Sequence, residues 1–227
     1  MTQLYLNEKP FVSLSGEAGF FQQGSVCTFI RFQGCNLRCL YCDTPQAQNL
    51  TDGNGIACSV EGLVNQCSTK QVLITGGEPL MQPTMLGLIR ELIDHGHVVQ
   101  VETNGSLVIP CTLDRIGTYW VVDRKGPSSG QVELLPIGEL FYFYAWDIEQ
   151  VIFKYIWAGV LSPYHTEDWS FIIEDMARLT KAGYTGKFII SPMDAGVSGV
   201  GGVLNFPEEF RDRVIISLQI HKILNIA

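Results

Sequence analysis

Short apolar runs rich in β-branched and aromatic residues punctuate the chain at Cys27–Phe32, Val72–Thr75, Val98–Glu102, Trp120–Asp123, Val151–Tyr155, Lys187–Ser191 and Val214–Gln219. Runs of this kind mark strands buried on both faces. Between them, Val60–Cys67, Leu80–His95 and Ser170–Ala182 read as helices. In the second of these, Leu86, Ile89, Leu92 and Ile93 fall on one helical face. Gly96 and Gly183 stand where helix C-caps belong.

Alternating strands and helices imply a parallel sheet with right-handed crossovers, and so an α/β fold. Chemistry in such folds gathers at the C-terminal ends of the strands. That rule collects Gly76, Gly77 and Glu78 after the second run, and Glu102, Thr103 and Asn104 at the end of the third. It adds Asp123 and Lys125 after the fourth, Ser191 and Pro192 after the sixth, and Gln219 and His221 after the last. A cysteine cluster follows the first run, on the same rim. With no repeat, charge block or low-complexity tract, residues 1–227 are expected to form one domain.

Composition narrows the class. Hydrophobic residues make up 46% and charged residues 17%, which excludes intrinsic disorder. A net charge of -8 argues against nucleic acid or an anionic membrane as partner. The most apolar stretch, Leu140–Leu161, is interrupted by Asp147, Glu149 and Lys154, so no membrane span is expected. Met1–Pro10 has no apolar core and does not read as a signal peptide, which makes the cytoplasm the expected compartment. An odd number of cysteines, 7, fits reduced thiols rather than a disulfide framework.

Cys35, Cys39 and Cys42 form a C-x3-C-x2-C arrangement that scattered core thiols would seldom produce. Structural zinc needs four closed ligands, and neither the remaining cysteines (Cys27, Cys58, Cys67, Cys111) nor a histidine stands at a finger-like spacing. Three thiolates suit an iron–sulfur cluster with one iron left open to a substrate or cofactor. The four remaining cysteines read as small apolar residues.

The spacing resembles the signature of the radical S-adenosylmethionine superfamily. Thr75-Gly76-Gly77-Glu78-Pro79 resembles its GGEP motif, and Glu102-Thr103-Asn104-Gly105 its ETNG segment. Three further blocks are similar to the 7-carboxy-7-deazaguanine synthase family within it. The first runs from Ser15-Gly16-Glu17 through Phe29-Ile30-Arg31-Phe32 to Gly34–Thr44; the second is Asp123–Gly130; the third is the tail Gln219–Ala227. After Glu17 the family's usual Gly is replaced by Ala18-Gly19.

The resemblance implies a truncated (β/α) barrel of the radical S-adenosylmethionine type. It also implies a [4Fe-4S] cluster, S-adenosylmethionine, Mg2+, a homodimer, and an electron donor such as a flavodoxin or ferredoxin. The implied reaction is conversion of 6-carboxy-5,6,7,8-tetrahydropterin to 7-carboxy-7-deazaguanine with loss of ammonia, toward queuosine and other deazapurines. The hydrogen atom would be taken from C6 of the pterin.

On this resemblance Cys35, Cys39 and Cys42 hold the cluster and Thr44 is a ligand of Mg2+. Cofactor contacts fall to Gly76, Gly77, Glu78, Glu102, Lys125, Ser128 and Pro192, with Glu78 as acceptor for the methionine ammonium. Substrate contacts fall to Ser15, Glu17, Arg31, Thr75, His221 and the Ala227 terminus, with the tail as a lid. Arg31 has a physical argument of its own: an arginine inside an apolar strand is costly unless paired, and its fork suits a carboxylate.

Two rivals stand beside this reading. An activating enzyme for a glycyl-radical protein shares the cysteine spacing but needs an open groove, against which the polar tail counts. A non-catalytic zinc- or cluster-binding module would leave Gly76–Glu78 and Arg31 without a use.

Overall fold

The computed structural model describes residues 3–49, 55–109, 117–131, 148–193 and 206–225. Ten strands form one sheet: β1 (Leu4–Leu6), β2 (Phe11–Leu14), β3 (Val26–Phe32), β4 (Ile56–Cys58), β5 (Gln71–Gly76), β6 (Val98–Thr103), β7 (Thr118–Asp123), β8 (Val151–Trp157), β9 (Phe188–Pro192) and β10 (Val214–Ile216). From β3 through β5 to β10 every neighbouring pair is parallel and the strands lie in chain order. Strands added one after another on the same side, with helices packed outside, build a partial barrel of α/β type. The antiparallel strands β1, β2 and β4 extend the β3 end.

The expected parallel run is present, with strand ends within two residues of the expectation for all but the last. β10 stops at Ile216, because Ser217 turns the chain back toward the sheet: it donates its N–H to Ile190 O and accepts from Ala18 N. The three antiparallel strands escaped the sequence pattern. They are three or four residues long, and β2 and β4 have no fully buried residue.

Four α-helices are described: α1 (Val60–Val64), α2 (Met85–Asp94), α3 (His165–Lys181) and α4 (Ile220–Leu224). Ser59 caps α1 by accepting the Gly62 N–H. The stretch expected as one helix from Leu80 splits in two. Pro83 drives Gln82 into extended backbone, which separates a 3-10 turn at Pro79–Met81 from α2. The buried face of α2 is Met85, Leu88, Ile89 and Leu92, with Leu86 and Ile93 at its margin. Helix α3 starts five residues before the expected Ser170. Its buried face includes Asp168 and Asp175, and those two carboxylates mask the apolar period. Gly96 and Gly183 follow α2 and α3 at φ +84° and +104°, as C-caps that return N–H groups to the last turn.

Two faces of the sheet follow from the period of two. Outward residues such as Ile30, Ile74, Val101, Val122, Phe153 and Ile190 pack under the helices as the main core. Inward, Val121, Ile152 and Ile189 close the bottom of the barrel with Ala18. Two residues further along the strands, the inward positions become Arg31, Thr75, Glu102, Asp123 and Lys154. Charge therefore sits above an apolar floor. Among the described residues no helix is long and apolar enough to cross a membrane.

Candidate functional site

A cavity of about 530 Å³ opens at the C-terminal ends of the parallel strands. All three cysteines of the cluster line it, each half-buried. Their loop is held from several sides. Gly34 donates to Ala47 O (2.7 Å), Cys35 N to Gln48 O (3.0 Å), and Leu40 N to Ser129 O (2.9 Å). Gln33 donates to Gln46 O (2.9 Å) and receives a contact from Asn7, so the N-terminal strands brace the same loop.

The thiols fit a cluster in their surroundings as well as their spacing. The Leu37 N–H (3.4 Å) and the Asn104 amide (3.7 Å) both donate to Cys35 Sγ, and such donors favour a thiolate. Burial pushes the Cys35 and Cys39 thiols up, and the Lys125 ammonium pulls both back. Among the described residues no three His, Cys, Asp or Glu side chains are gathered tightly enough to hold a single ion.

The loop after β5 meets this cysteine loop backbone to backbone. A Cβ on Gly77 would stand 1.9 Å from Gly34 O, and one on Gly76, at φ +128°, 2.2 Å from Phe32 N. Only glycine allows that approach, which Gly77 N to Phe32 O (3.0 Å) and Glu78 N to Gly34 O (2.7 Å) complete. Gly76, Gly77 and Thr75 line the cavity, whereas Glu78 does not. The Glu78 carboxylate is wholly buried and accepts from Leu80 N (3.0 Å), Thr103 Oγ1 (2.8 Å) and Asn104 N (2.7 Å). Burial pushes its pKa up, and those three donors with Lys125 hold it back.

Across the cavity, the segment Asp123-Arg124-Lys125 alternates. Arg124 turns outward into a two-point bond with Asp175 of α3 (2.8 Å each), which also accepts from Tyr155 OH (2.9 Å). Asp123 and Lys125 turn inward and pair at 2.5 Å. Burial alone would raise Asp123, but Lys125 and Lys154 outweigh it and hold the carboxyl below its ordinary value. Ser128 is buried beneath this loop and does not line the cavity; its N–H donates to Asp168 Oδ1 (2.9 Å).

Glu17, Arg31, Glu102, Thr44 and His221 all reach the cavity. Arg31 Nε lies 2.8 Å from Glu8 Oε1, and its Nη1 donates to Thr44 Oγ1 (3.2 Å). Thr44 in turn donates to Asp43 Oδ1 (2.9 Å). Burial pushes Glu102 up to about 7; Lys154 opposes this, while Glu17, Asp123 and Asp43 add to it. Helix α4 spans one edge, with His221 Nε2 and Lys222 Nζ each 3.9 Å from Asp43 Oδ2. Gly16 leaves room for His221, since a Cβ there would stand 2.4 Å from its ring nitrogen.

Ser15 is buried, donates to Glu17 O (3.1 Å) and does not line the cavity, and Pro192 is buried at the end of β9. Ala227 and Cys111 lie outside the described residues. The sequence pattern passed over Lys154, which pairs with Glu17 and stands 3.5 Å from Asp123 Oδ1. Its signal was present: it is the single charge in the buried run Val151–Trp157. Tyr41 was missed as well, and Lys125 Nζ lies 5.7 Å from the centre of its ring.

The Radical SAM superfamily model matches residues 29–124, the span that runs from β3 through the cysteines to the end of β7. Residues 29–124 are thus similar to the radical SAM superfamily. Likeness to that superfamily implies a [4Fe-4S] cluster and S-adenosylmethionine as cofactors. Curated relatives include a 7-carboxy-7-deazaguanine synthase of Chlorobaculum tepidum, 36% identical over 54% of this chain and 54% of the relative. Another, from Hyperthermus butylicus, is 41% identical over 51% of this chain and 49% of the relative. The chain thus spans about half the length of the curated relatives it matches. In fold it is similar to QueE from Escherichia coli, with a TM-score of 0.71 and 22% identity over 96% of this chain and 94% of that one.

Proposed function

We propose that this protein is a radical SAM lyase that converts 6-carboxy-5,6,7,8-tetrahydropterin to 7-carboxy-7-deazaguanine with loss of ammonia. The observation that carries the reading is one cavity shared by the three cysteines, the Gly76-Gly77 loop, Arg31, Glu17 and the α4 residue His221. Its volume suits a small molecule rather than a protein loop. The names of the curated relatives support the same reaction.

In this reading Cys35, Cys39 and Cys42 would hold the cluster. The cluster and S-adenosylmethionine together supply a carbon radical that can take a hydrogen atom. The chain's own residues bind, orient and shield. Gly76 and Gly77 present backbone to the cofactor's methionine end, and Lys125, held charged by Asp123, receives its carboxylate. Glu78 positions this end by tying the β5 loop to Thr103 and Asn104. Ser128, through Asp168, fixes the loop that carries Lys125.

Arg31 receives the pterin carboxylate, exchanging its contact with half-exposed Glu8 for a partner that is fully desolvated. Thr44 and Asp43 offer paired oxygens suited to Mg2+ beside that carboxylate. Glu17, paired with Lys154, accepts the N–H edge of the pterin, and Ser15 holds the Glu17 backbone. Glu102, with its raised pKa, is the inward carboxyl suited to carry a proton near neutrality. Helix α4, at one edge of the cavity, helps exclude water from it. A homodimer and a flavodoxin or ferredoxin as electron donor belong to the same reading.

The test is anaerobic. Protein reconstituted with iron and sulfide is given S-adenosylmethionine, a reductant, Mg2+ and the pterin. A product lighter than the substrate by ammonia is expected. Cofactor cleavage with the pterin unchanged rejects the substrate and brings forward an activating enzyme for a glycyl-radical protein.

A further inference from the structure

We infer that Lys154 is a positioning residue that ties the two sides of the cavity into one ion network, holding Glu17 on the pterin side and Asp123 on the Lys125 side as charged acceptors. The assignment of those sides rests on the function proposed above; the network itself rests on geometry alone.

Lys154 lies in the middle of β8, where every residue is buried and the other six are aliphatic or aromatic. A lysine there is costly unless its ammonium is paired. It stands opposite Asp123 in the β7–β8 register. Its Nζ contacts Glu17 Oε2 and lies 3.5 Å from Asp123 Oδ1. The other oxygen of Glu17 accepts from the Gln219 amide (3.1 Å). Glu17 is therefore held from β8 on one side and from the start of α4 on the other, although its own segment is neither helix nor strand.

The charged groups around Lys154 come from four elements. Glu17 belongs to the loop after β2, Glu102 to β6, and Asp123 with Lys125 to the end of β7 and the turn after it; Asp43 of the cysteine loop acts through Glu102. Burial alone would lower the Lys154 pKa, but Asp123, Glu17 and Glu102 outweigh it and raise the group well above an ordinary lysine. Among the described residues Glu102 makes no ion pair of its own, and Lys125 is committed to Asp123. Without the Lys154 ammonium, Glu17 and Glu102 would share the cavity with no cation between them. Glu17 already pushes the Glu102 carboxyl up, and that push would then lose its main opposition.

The experiment uses the full chain as K154M, K154R and the double variant E17Q/K154M. Urea unfolding is followed at pH 6 and pH 8, and binding of 6-carboxytetrahydropterin to the reconstituted proteins is measured by calorimetry. K154M is expected to lose more stability from pH 6 to pH 8 than the parent protein, because the crowded carboxylates resist losing their protons. E17Q/K154M should lose that added slope, and K154R should resemble the parent. Pterin affinity should fall about tenfold or more in K154M and mostly return in K154R.

A K154M protein with the parent's pH dependence overturns the inference, as does a double variant no different from K154M. If K154M does not fold, recovery of a folded protein in E17Q/K154M supports the network, and failure of both K154R and the double variant overturns it. If the parent does not bind the pterin, the proposed substrate fails, while the unfolding data still decide the role of Lys154.

Discussion

Glu78→Gln separates two roles that a carboxylate in a GGEP loop can have. A carboxylate that mainly receives a ligand contributes little to the empty fold. Here the group is wholly buried and already accepts from Leu80 N, Thr103 Oγ1 and Asn104 N. Glutamine keeps one acceptor oxygen for Leu80 and Thr103 but turns an NH2 against the Asn104 N–H, which loses its partner. A bond to a charged acceptor contributes about 1.5–3 kcal/mol, and a neutral one about 1 kcal/mol. Losing one such bond and weakening two costs about 3–5 kcal/mol. The carboxylate's burial penalty, visible in its raised pKa, returns part of that. A net loss of about 2–4 kcal/mol is expected. Urea unfolding of the metal-free chain at pH 7, followed by tryptophan fluorescence, measures it. A change below about 0.5 kcal/mol, within the range of an ordinary surface substitution, would refute the bracing role and return Glu78 to ligand binding alone.

Three further outcomes are expected. Gly77→Ala drives a methyl into Gly34 O and Ala47 O, backbone atoms that cannot swing aside, so it should cost about 3 kcal/mol or more and lower the iron bound on reconstitution; unaltered stability would contradict the close approach. Glu102 has its folded pKa raised from 4.5 to about 7, so the folded state holds the extra proton and stability should fall as pH rises between those values. Glu102→Gln should flatten that slope, and an unchanged slope would assign it to another group. Cys39→Ala should abolish the brown chromophore and the associated iron in anaerobically reconstituted protein, whereas a colourless, zinc-bearing parent protein would return the site to a structural role.

Much of this arrangement is written in short-range pattern. The parallel strands are legible because they are buried on both faces, and the glycines at 76 and 77 mark a backbone contact no other residue permits. The cysteine spacing and its neighbours point to one rim for most of the site. What the pattern hides depends on partners distant in sequence. Asp168 and Asp175 break the apolar period of α3 because their buried carboxylates serve Ser128, Ala158 and Arg124 on the loops and strands opposite. Glu78 reads as a carboxylate waiting for a ligand until Thr103 and Asn104 close on it. Lys154 reads as an interruption in an apolar run until Glu17, 137 residues away, meets it across the barrel.

The most direct test of the proposed chemistry uses pterin deuterated at C6 in an anaerobic reaction with the reconstituted protein, read by mass. Expected are a product lighter by ammonia, deuterium in the recovered S-adenosylmethionine, and far less cofactor consumed than product formed. Recovery of intact pterin alongside 5′-deoxyadenosine free of deuterium would contradict it.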